Sequence, residues 1–337
     1  MSNPVSGGDL ARATILRQSS GQLKSQLATL TQEAATGLKA DVPAATNGQM
    51  GRLAQVQARL SALAAHGRNA ALAQVELGGL QAAMGELEGI AVDMGPGLQT
   101  AATMGDDTSL AVRAGEARQD FGTAVRLLNV DVGGRYLLSG TAVDRPPLSD
   151  PEDILAAAKA QVAGLTAPAD ITLALAAWFE APAGAGGFAD SQFHGNAAAR
   201  EVAVSPDKAV RQDLSALDPS FRGLLKGLAM AALADDPDLG LTRDGKAALL
   251  AEAGRQVSGA GTTLTMRRAE VGLLEETVER ASSRNAAETT AMSLARSDIL
   301  AADPYETATA LTQAEASLQN LYALTARLSR LSLTDYL

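Results

Sequence analysis

The 337 residues include no cysteine and only two histidines, and aromatic side chains make up 3% of the chain. Without thiols there is no disulfide scaffold, no thiolate metal site and no cysteine nucleophile. His66 and His194 are far apart in sequence, so a zinc site or a histidine-based triad would have to be built around these two alone. Carboxylates are plentiful but scattered along solvated helix faces, without the pairing that acid–base catalysis on glycosides uses. Positive charge is also scarce. A net charge of −10 and a pI near 4.8 argue against a nucleic-acid partner, which favours a basic face. No apolar run reaches the roughly 18 residues of a membrane span. The first twenty residues lack the apolar core of a signal peptide, because Arg12, Arg17 and polar residues interrupt it. That points to the cytoplasm, or to export by a route that reads no cleavable signal.

Two glycine segments imitate nucleotide sites without completing them. Gly240 to Ala247 resembles a phosphate-binding loop but has Ala247 where a magnesium-holding Ser or Thr is needed, and it follows an acidic loop rather than a strand. It reads as a helix start. Gly184 to Ala189 fits a dinucleotide fingerprint formally, yet follows Glu180-Ala181-Pro182 and lacks the strand–turn–helix context. It reads as a loop.

What the chain does have is apolar residues, 46% of the total, spaced for helices. In the last third, Leu250, Val257, Leu264, Val271, Val278, Met292 and Ile299 recur every seven positions, with Asn285 as the break. A parallel column holds Ala253, Ala260, Leu274, Ala281, Ala295 and Ala302, with Arg267 and Glu288 as polar lapses. A seven-residue repeat keeps one seam facing a partner helix over many turns. From Gly245 to Ala302 this helix would span roughly 85 Å at about 1.5 Å per residue, the proportions of a rod. Asp303-Pro304 interrupts and restarts it, and Leu311, Leu318, Leu321, Leu328 and Leu331 carry the stripe to the end.

The other end matches. After a disordered lead-in over Met1 to Asp9, Leu16, Leu23, Leu27 and Leu30 form a stripe that ends at Thr36-Gly37. Neither terminal stripe can be buried by its own helix. A second long helix is expected between Gly48 and Leu98, with Val56, Leu63, Ala70, Leu77, Met84, Ala91 and Leu98 at seven-residue spacing. Gly67, Gly78, Gly79, Gly85 and Gly89 suggest close helix approach or kinks, and Gly95-Pro96-Gly97 should terminate or bend it. A third helix is expected from an N-cap near Asp107-Thr108, presenting Leu110, Ala114, Ala117, Phe121, Val125 and Leu128 and closed by Gly133-Gly134.

Arg135 to Gly140 reads as a strand or extended connector, and the prolines of 144–151 as a boundary. Beyond it come helices over Glu152 to Leu165 and Ile171 to Glu180, then strands over Phe188 to His194, Arg200 to Val204 and Ala209 to Leu214. Asp218-Pro219 restarts a helix and Thr242 caps the last long one. The fold class is therefore mainly α: an elongated bundle of long coiled-coil-like helices from both chain ends, with a small inserted α+β domain. The expected division is 1–40 with 303–337 as terminal assembly helices, 41–140 with 218–302 as a helical rod, and 141–217 as the insert. No catalytic constellation supports an enzyme in the insert, and no cofactor or metal is expected. Asn285 has two readings: a buried polar residue that fixes the register of the seam, or a position where the helix faces solvent.

Three stretches resemble one family. Arg135-Tyr136-Leu137-Leu138-Ser139-Gly140-Thr141, continuing to Asp144-Arg145-Pro146-Pro147-Leu148, resembles the connector of the flagellar hook-associated protein of the hook–filament junction. Gln26 to Lys39, with Ala35-Thr36-Gly37-Leu38-Lys39, is similar to the amino-terminal region shared by flagellins and that protein. Leu300 to Leu337, with Asp303, Glu306, Leu311, Leu318-Gln319, Ser329, Leu331, Ser332, Leu333 and Tyr336-Leu337, resembles their shared carboxy-terminal helix. The match departs at Leu38, where a basic residue is usual, at Pro304, and at Asp41-Val42-Pro43, a reduced form of a longer turn; it covers the insert poorly.

The resemblance implies a non-enzymatic structural protein of the flagellum, exported through the type III apparatus on an uncleaved amino terminus with a cytoplasmic chaperone. It implies an extracellular location at the hook–filament junction, and as partners further copies of the chain, the first hook-associated protein and flagellin. The assembly interface would be Leu16, Leu23, Leu27, Leu30, Leu311, Leu318, Leu321, Leu328, Leu331 and Leu333, with Tyr136, Leu137, Gly140 and Thr141 as the connector motif. The Tyr136 segment distinguishes the junction protein from flagellin, the nearest rival. A reading of a different class is a cytoplasmic coiled-coil scaffold or signalling module, which would share the heptads but need neither the Tyr136 segment nor a seam at the extreme carboxy terminus.

Overall fold

The computed structural model describes residues 7–45 and 50–334, with side chains described between 14 and 43 and between 50 and 327, and at Ala11. The chain forms two compact units, residues 1–64 with 286–337, and residues 65–285. The prediction of a disordered lead-in falls largely outside the described residues; helix α1 (Gly7–Thr36) is already formed at Gly7.

In the first unit, α1 pairs with α10 (Pro304–Thr334), and a single turn, α2 (Val42–Ala45), follows α1. The unit also holds the first turns of α3 (Met50–Met104) and the last turns of α9 (Arg243–Leu300). There Leu53 and Leu63 are buried and Met292 and Ile299 half-buried. Glu288, a polar lapse in the heptad pattern, meets Arg59 Nε at 2.5 Å, and that bond holds its carboxyl below the usual range.

The second unit is built on the rest of α3 and α9. Every member of the α3 column from Ala70 to Leu98 is buried, as is the α9 column from Leu250 to Val278. The seven-residue spacing therefore translates directly into a packed seam. The close crossing lies at a glycine pair. A Cβ on Gly254 would sit 2.8 Å from Gly95 O and from Gln99 Cγ, and one on Gly95 would meet Ser258 Oγ at 2.4 Å. Of the glycines expected to mark close approach, Gly79 and Gly85 have neighbours, whereas Gly67, Gly78 and Gly89 face open space. Pro96 does not terminate α3. Proline removes one helical donor at a cost of about 3 kcal/mol, and burial of Met94, Leu98 and Ala101 on either side offsets it.

Helix α4 (Asp107–Leu128) buries each of the six residues assigned to its inner face. Its cap is Asp106, whose carboxylate accepts from Ser109 N–H at 2.9 Å, one residue before the expected site. Gly133 and Gly134 do not close this helix, which ends at Leu128. With φ of +60° and +78° they make the two-residue turn of a hairpin between β1 (Asp131–Val132) and β2 (Arg135–Tyr136), a turn that requires positive φ at both positions.

Next come α5 (Pro151–Gln161) and α6 (Pro168–Glu180). The predicted strand over Phe188 to His194 is instead a helical turn, α7 (Phe188–Ser191). Phe188 stacks on Phe179 with centroids 5.2 Å apart and meets Trp178 edge-on, so aromatic packing overrides the local β preference. Before it, the loop glycines Gly184 and Gly186 turn their N–H groups to the Asp190 carboxylate at 2.8 and 2.6 Å. The nest that a phosphate would need is filled by the chain's own carboxylate, whose pKa is thereby lowered. Strands β3 (Arg200–Ser205) and β4 (Lys208–Gln212) form an antiparallel hairpin. Helix α8 (Pro219–Leu233), capped by Asp218 and buried nearly all round, is the centre of the core. Its one buried cation, Lys226, reaches Glu180 at 2.5 Å.

Charge divides with the units. Residues 1–64 and 286–337 carry nine basic and nine acidic side chains, whereas 65–285 carry nineteen and twenty-nine, the whole net charge of −10.

Two predictions follow from this packing. Gly254→Ala should lower stability by about 1–3 kcal/mol through overpacking, while Gly259→Ala, open on the same helix, should be neutral or stabilising by up to about 1 kcal/mol; urea denaturation reads both. Asp120 on α4 is half-buried, and its pKa is raised by desolvation and by the neighbouring Glu116 and Asp93 carboxylates. A carboxyl with a raised folded pKa destabilises the fold when ionised and ceases to do so below its unfolded pKa. Asp120→Asn should therefore raise the melting temperature at pH 7, and the gain should disappear as pH falls through the aspartate range.

Candidate assembly site

The terminal pair is joined at its base by main-chain bonds. Helix α1 is stopped by the residue after it, Gly37, with φ of +69°, whose N–H closes on Glu33 O at 2.8 Å, the left-handed stop that glycine permits. Leu38 and Ala301 then form an antiparallel bridge, with Lys39 N–H donating to Leu300 O at 2.8 Å and Ala302 N–H to Gly37 O at 2.9 Å. Asp303 caps α10 by accepting from Tyr305 and Glu306 N–H at 2.8 and 3.0 Å, and Pro304 occupies the first helical position. The end of α1 thus meets the start of α10, and the two helices run antiparallel.

Leu16, Leu23, Leu27 and Leu30 on α1, and Leu311, Leu318 and Leu321 on α10, are all half-buried. Among the described side chains of α10, Thr307 and Ala314 are the buried ones. The side chains of Leu328, Leu331 and Leu333, like Tyr336 and Leu337, lie outside the described residues. Further apolar surface stands open at Ile15, 61% exposed, at Leu324, 53%, and at Tyr322, 48%, where Lys24 Nζ sits 5.9 Å from the ring centroid. The physical reason is geometrical. Two helices bury only the line along which they touch, whereas these stripes are wider than one line. Full burial of a leucine contributes about 1.5–3 kcal/mol, so each half-buried one leaves roughly 1 kcal/mol unrealised.

The connector motif lies in the other unit and is a crossing point of loops. Leu137 and Leu138 are buried; Tyr136 is half-buried and donates its N–H to Val143 O at 2.9 Å, while Leu138 O accepts from Ala216 N–H at 3.0 Å. Ser139, fully buried, donates its hydroxyl to Arg145 O at 2.8 Å. Gly140 has φ of +67°, and a Cβ there would lie 1.9 Å from Asn196 O. Thr141 and Asn196 clasp reciprocally: Thr141 N–H donates to Asn196 Oδ1 at 2.8 Å, and Asn196 Nδ2 donates to Thr141 Oγ1 at 2.7 Å. The glycine and the threonine are thus required by the approach of 195–196. Asn196 is the partner that reading the sequence missed; the turn dipeptide Gly195-Asn196 was its only local signal.

Asn285 is 4% exposed, so the helix does not face solvent there. Its Nδ2 donates to Val204 O of β3, a strand carbonyl, at 2.7 Å. His194 Nε2 lies 2.9 Å from Ser149 Oγ and His66 Nδ1 3.3 Å from Ala203 O, each histidine tied to a separate loop or strand. Among the described residues no helix is long and apolar enough to cross a membrane.

A mainly helical chain with its two ends paired and a small α+β insert is the fold these elements define. Residues 255–337 match the bacterial flagellin C-terminal helical region. The chain is similar in structure to a protein from Vibrio parahaemolyticus described as a flagellar hook-associated protein, with a TM-score of 0.50 and 13% identity, covering 73% of this chain and 95% of that one. At that identity the likeness is one of fold. No curated protein matches the chain. Residues 255–337 are therefore flagellin-like, and the fold is one shared with that neighbour.

Gly140→Ala should destabilise by more than the roughly 1–2 kcal/mol of a left-handed residue, because the new methyl also meets Asn196. Gly164→Ala, at φ of +80° but in open space, should show the left-handed cost alone. Equal losses in chemical denaturation would refute the requirement for close approach.

Proposed function

We propose that the chain is a structural subunit of the bacterial flagellum that joins the hook-associated ring to the flagellin filament. Neighbouring copies cover the leucine stripes of α1 and α10. The carrying observation is that all seven described leucines of the interface remain half-buried in the single chain. A base fixed by main-chain bonds and a cap presents this unfinished surface. The likeness of residues 255–337 to the flagellin C-terminal region supports self-association through α10. The Tyr136–Thr141 connector and the fold shared with a hook-associated protein favour the junction over the filament. On this reading the subunit is exported through the flagellar apparatus, bound by a chaperone in the cytoplasm, and meets the first hook-associated protein below and flagellin above.

Flagellin itself is the second reading, favoured by the family whose C-terminal region is matched. A strain lacking the gene separates the two. An adaptor's loss leaves hooks intact and flagellin shed into the medium, whereas loss of flagellin leaves hooks with nothing to shed. Removal of residues 328–337 should reproduce the adaptor phenotype, since isolated helix pairs gain most of their stability from packing. Normal filaments in that truncation would overturn the assembly role of α10.

A further inference from the structure

The β3–β4 hairpin is held by polar grips from two different helices. Its register shifts between Ala203 and Ser205: Ala203 pairs with Ala209 and Ser205 with Lys208, leaving Val204 without a partner on β4. An extra residue of this kind is a β-bulge, which re-aims a side chain and releases a main-chain group from the ladder. Here the Val204 side chain is fully buried and its carbonyl accepts from Asn285 of α9 at 2.7 Å. The carbonyl one residue earlier, on Ala203, accepts from Asn69 Nδ2 of α3 at 2.9 Å. His66 Nδ1, also on α3, lies 3.3 Å from the same oxygen. Two further ion pairs repeat the arrangement. Arg200 at the start of β3 reaches the buried Glu76 of α3 at 2.9 Å, and Asp207 in the hairpin turn meets Arg284 of α9 at 3.4 Å. One strand therefore ties α3 to α9 through neighbouring carbonyls. The residues it grips, 66, 69 and 285, are at the limits of the compact unit 65–285.

We propose that the bulged hairpin is a clasp that locks α3 to α9 at the edge of this unit. It stops local unfolding of either helix at His66 and Asn285. Asn285 and Asn69 do not act as two independent anchors. Each holds one half of a single cross-link, so loss of either loosens both helices.

Native-state hydrogen exchange on the full-length chain tests this. In Asn285→Ala, amides of β3–β4 and of α9 between 278 and 285 should exchange at least tenfold faster, and so should amides of α3 between 66 and 73, on the helix that Asn285 does not bond. Asn69→Ala should likewise accelerate exchange in α9. The double variant should exchange little faster than either single one, because the cross-link is already open. Amides of α4 and α8 serve as the control for global stability and should keep their rates, which also shows that the variants fold. Acceleration confined to the mutated helix and the hairpin, or multiplicative effects in the double variant, would overturn the clasp. A uniform rise across α4 and α8 would also overturn it, since opening would then be global.

Discussion

The structure depends on apolar side chains recurring every seven residues along two long helices, α3 and α9, which can leave water only by facing each other and the core around α8. This one constraint places everything else. With Leu, Val, Met and Ala filling the seam and only 3% aromatics in the chain, helix axes must come close. The crossing at Gly95 and Gly254, where neither position has room for a methyl, is the result. Packing at this point also explains why a proline that would end an isolated helix is tolerated within α3: the free energy of burial along the helix exceeds the loss of one hydrogen bond.

The terminal pair obeys the same rule but leaves it incomplete. Main-chain bonds at 37–39 and 300–302 and the Asp303 cap fix where α1 ends and α10 begins, but two helices cannot enclose stripes wide enough for three or more neighbours. In the interior of residues 65–285 the requirement for burial is met by the chain itself; along α1 and α10 it is met only in part. The difference is visible in matching leucines: those of the α9 column are closed off from solvent, while those of α1 and α10 at the same spacing are half open.

Helix existence and boundaries were legible wherever periodicity and caps agreed. The starts at Pro219 and Pro304 follow from Asp-Pro pairs, the cap at Thr242 from its hydroxyl, which accepts from Gly245 N–H, and the inner face of α4 from six residues in register. Legibility ended where long-range partners decide. Phe188 belongs to a helical turn because Phe179 and Trp178 are there to receive it. Gly133-Gly134 makes a hairpin rather than a helix stop because two short strands flank it. For the candidate site, the leucine stripes and the connector could be read locally, but Asn196, the reason for Gly140 and Thr141, lies 55 residues further on. Asn285 was conspicuous as an interruption in an apolar column. Its partner, a carbonyl released by a bulge 81 residues earlier, has no signature in periodicity.

The even split of nine positive and nine negative groups over residues 1–64 and 286–337 bears on crowding. Copies brought together through these ends bring no net charge with them, so close contact there meets little mutual repulsion. The acidic excess sits wholly in 65–285, where like sign on adjacent molecules disfavours indiscriminate sticking and keeps the free chain dispersed. A charge-balanced part and an acidic part thus occupy separate stretches of one polypeptide.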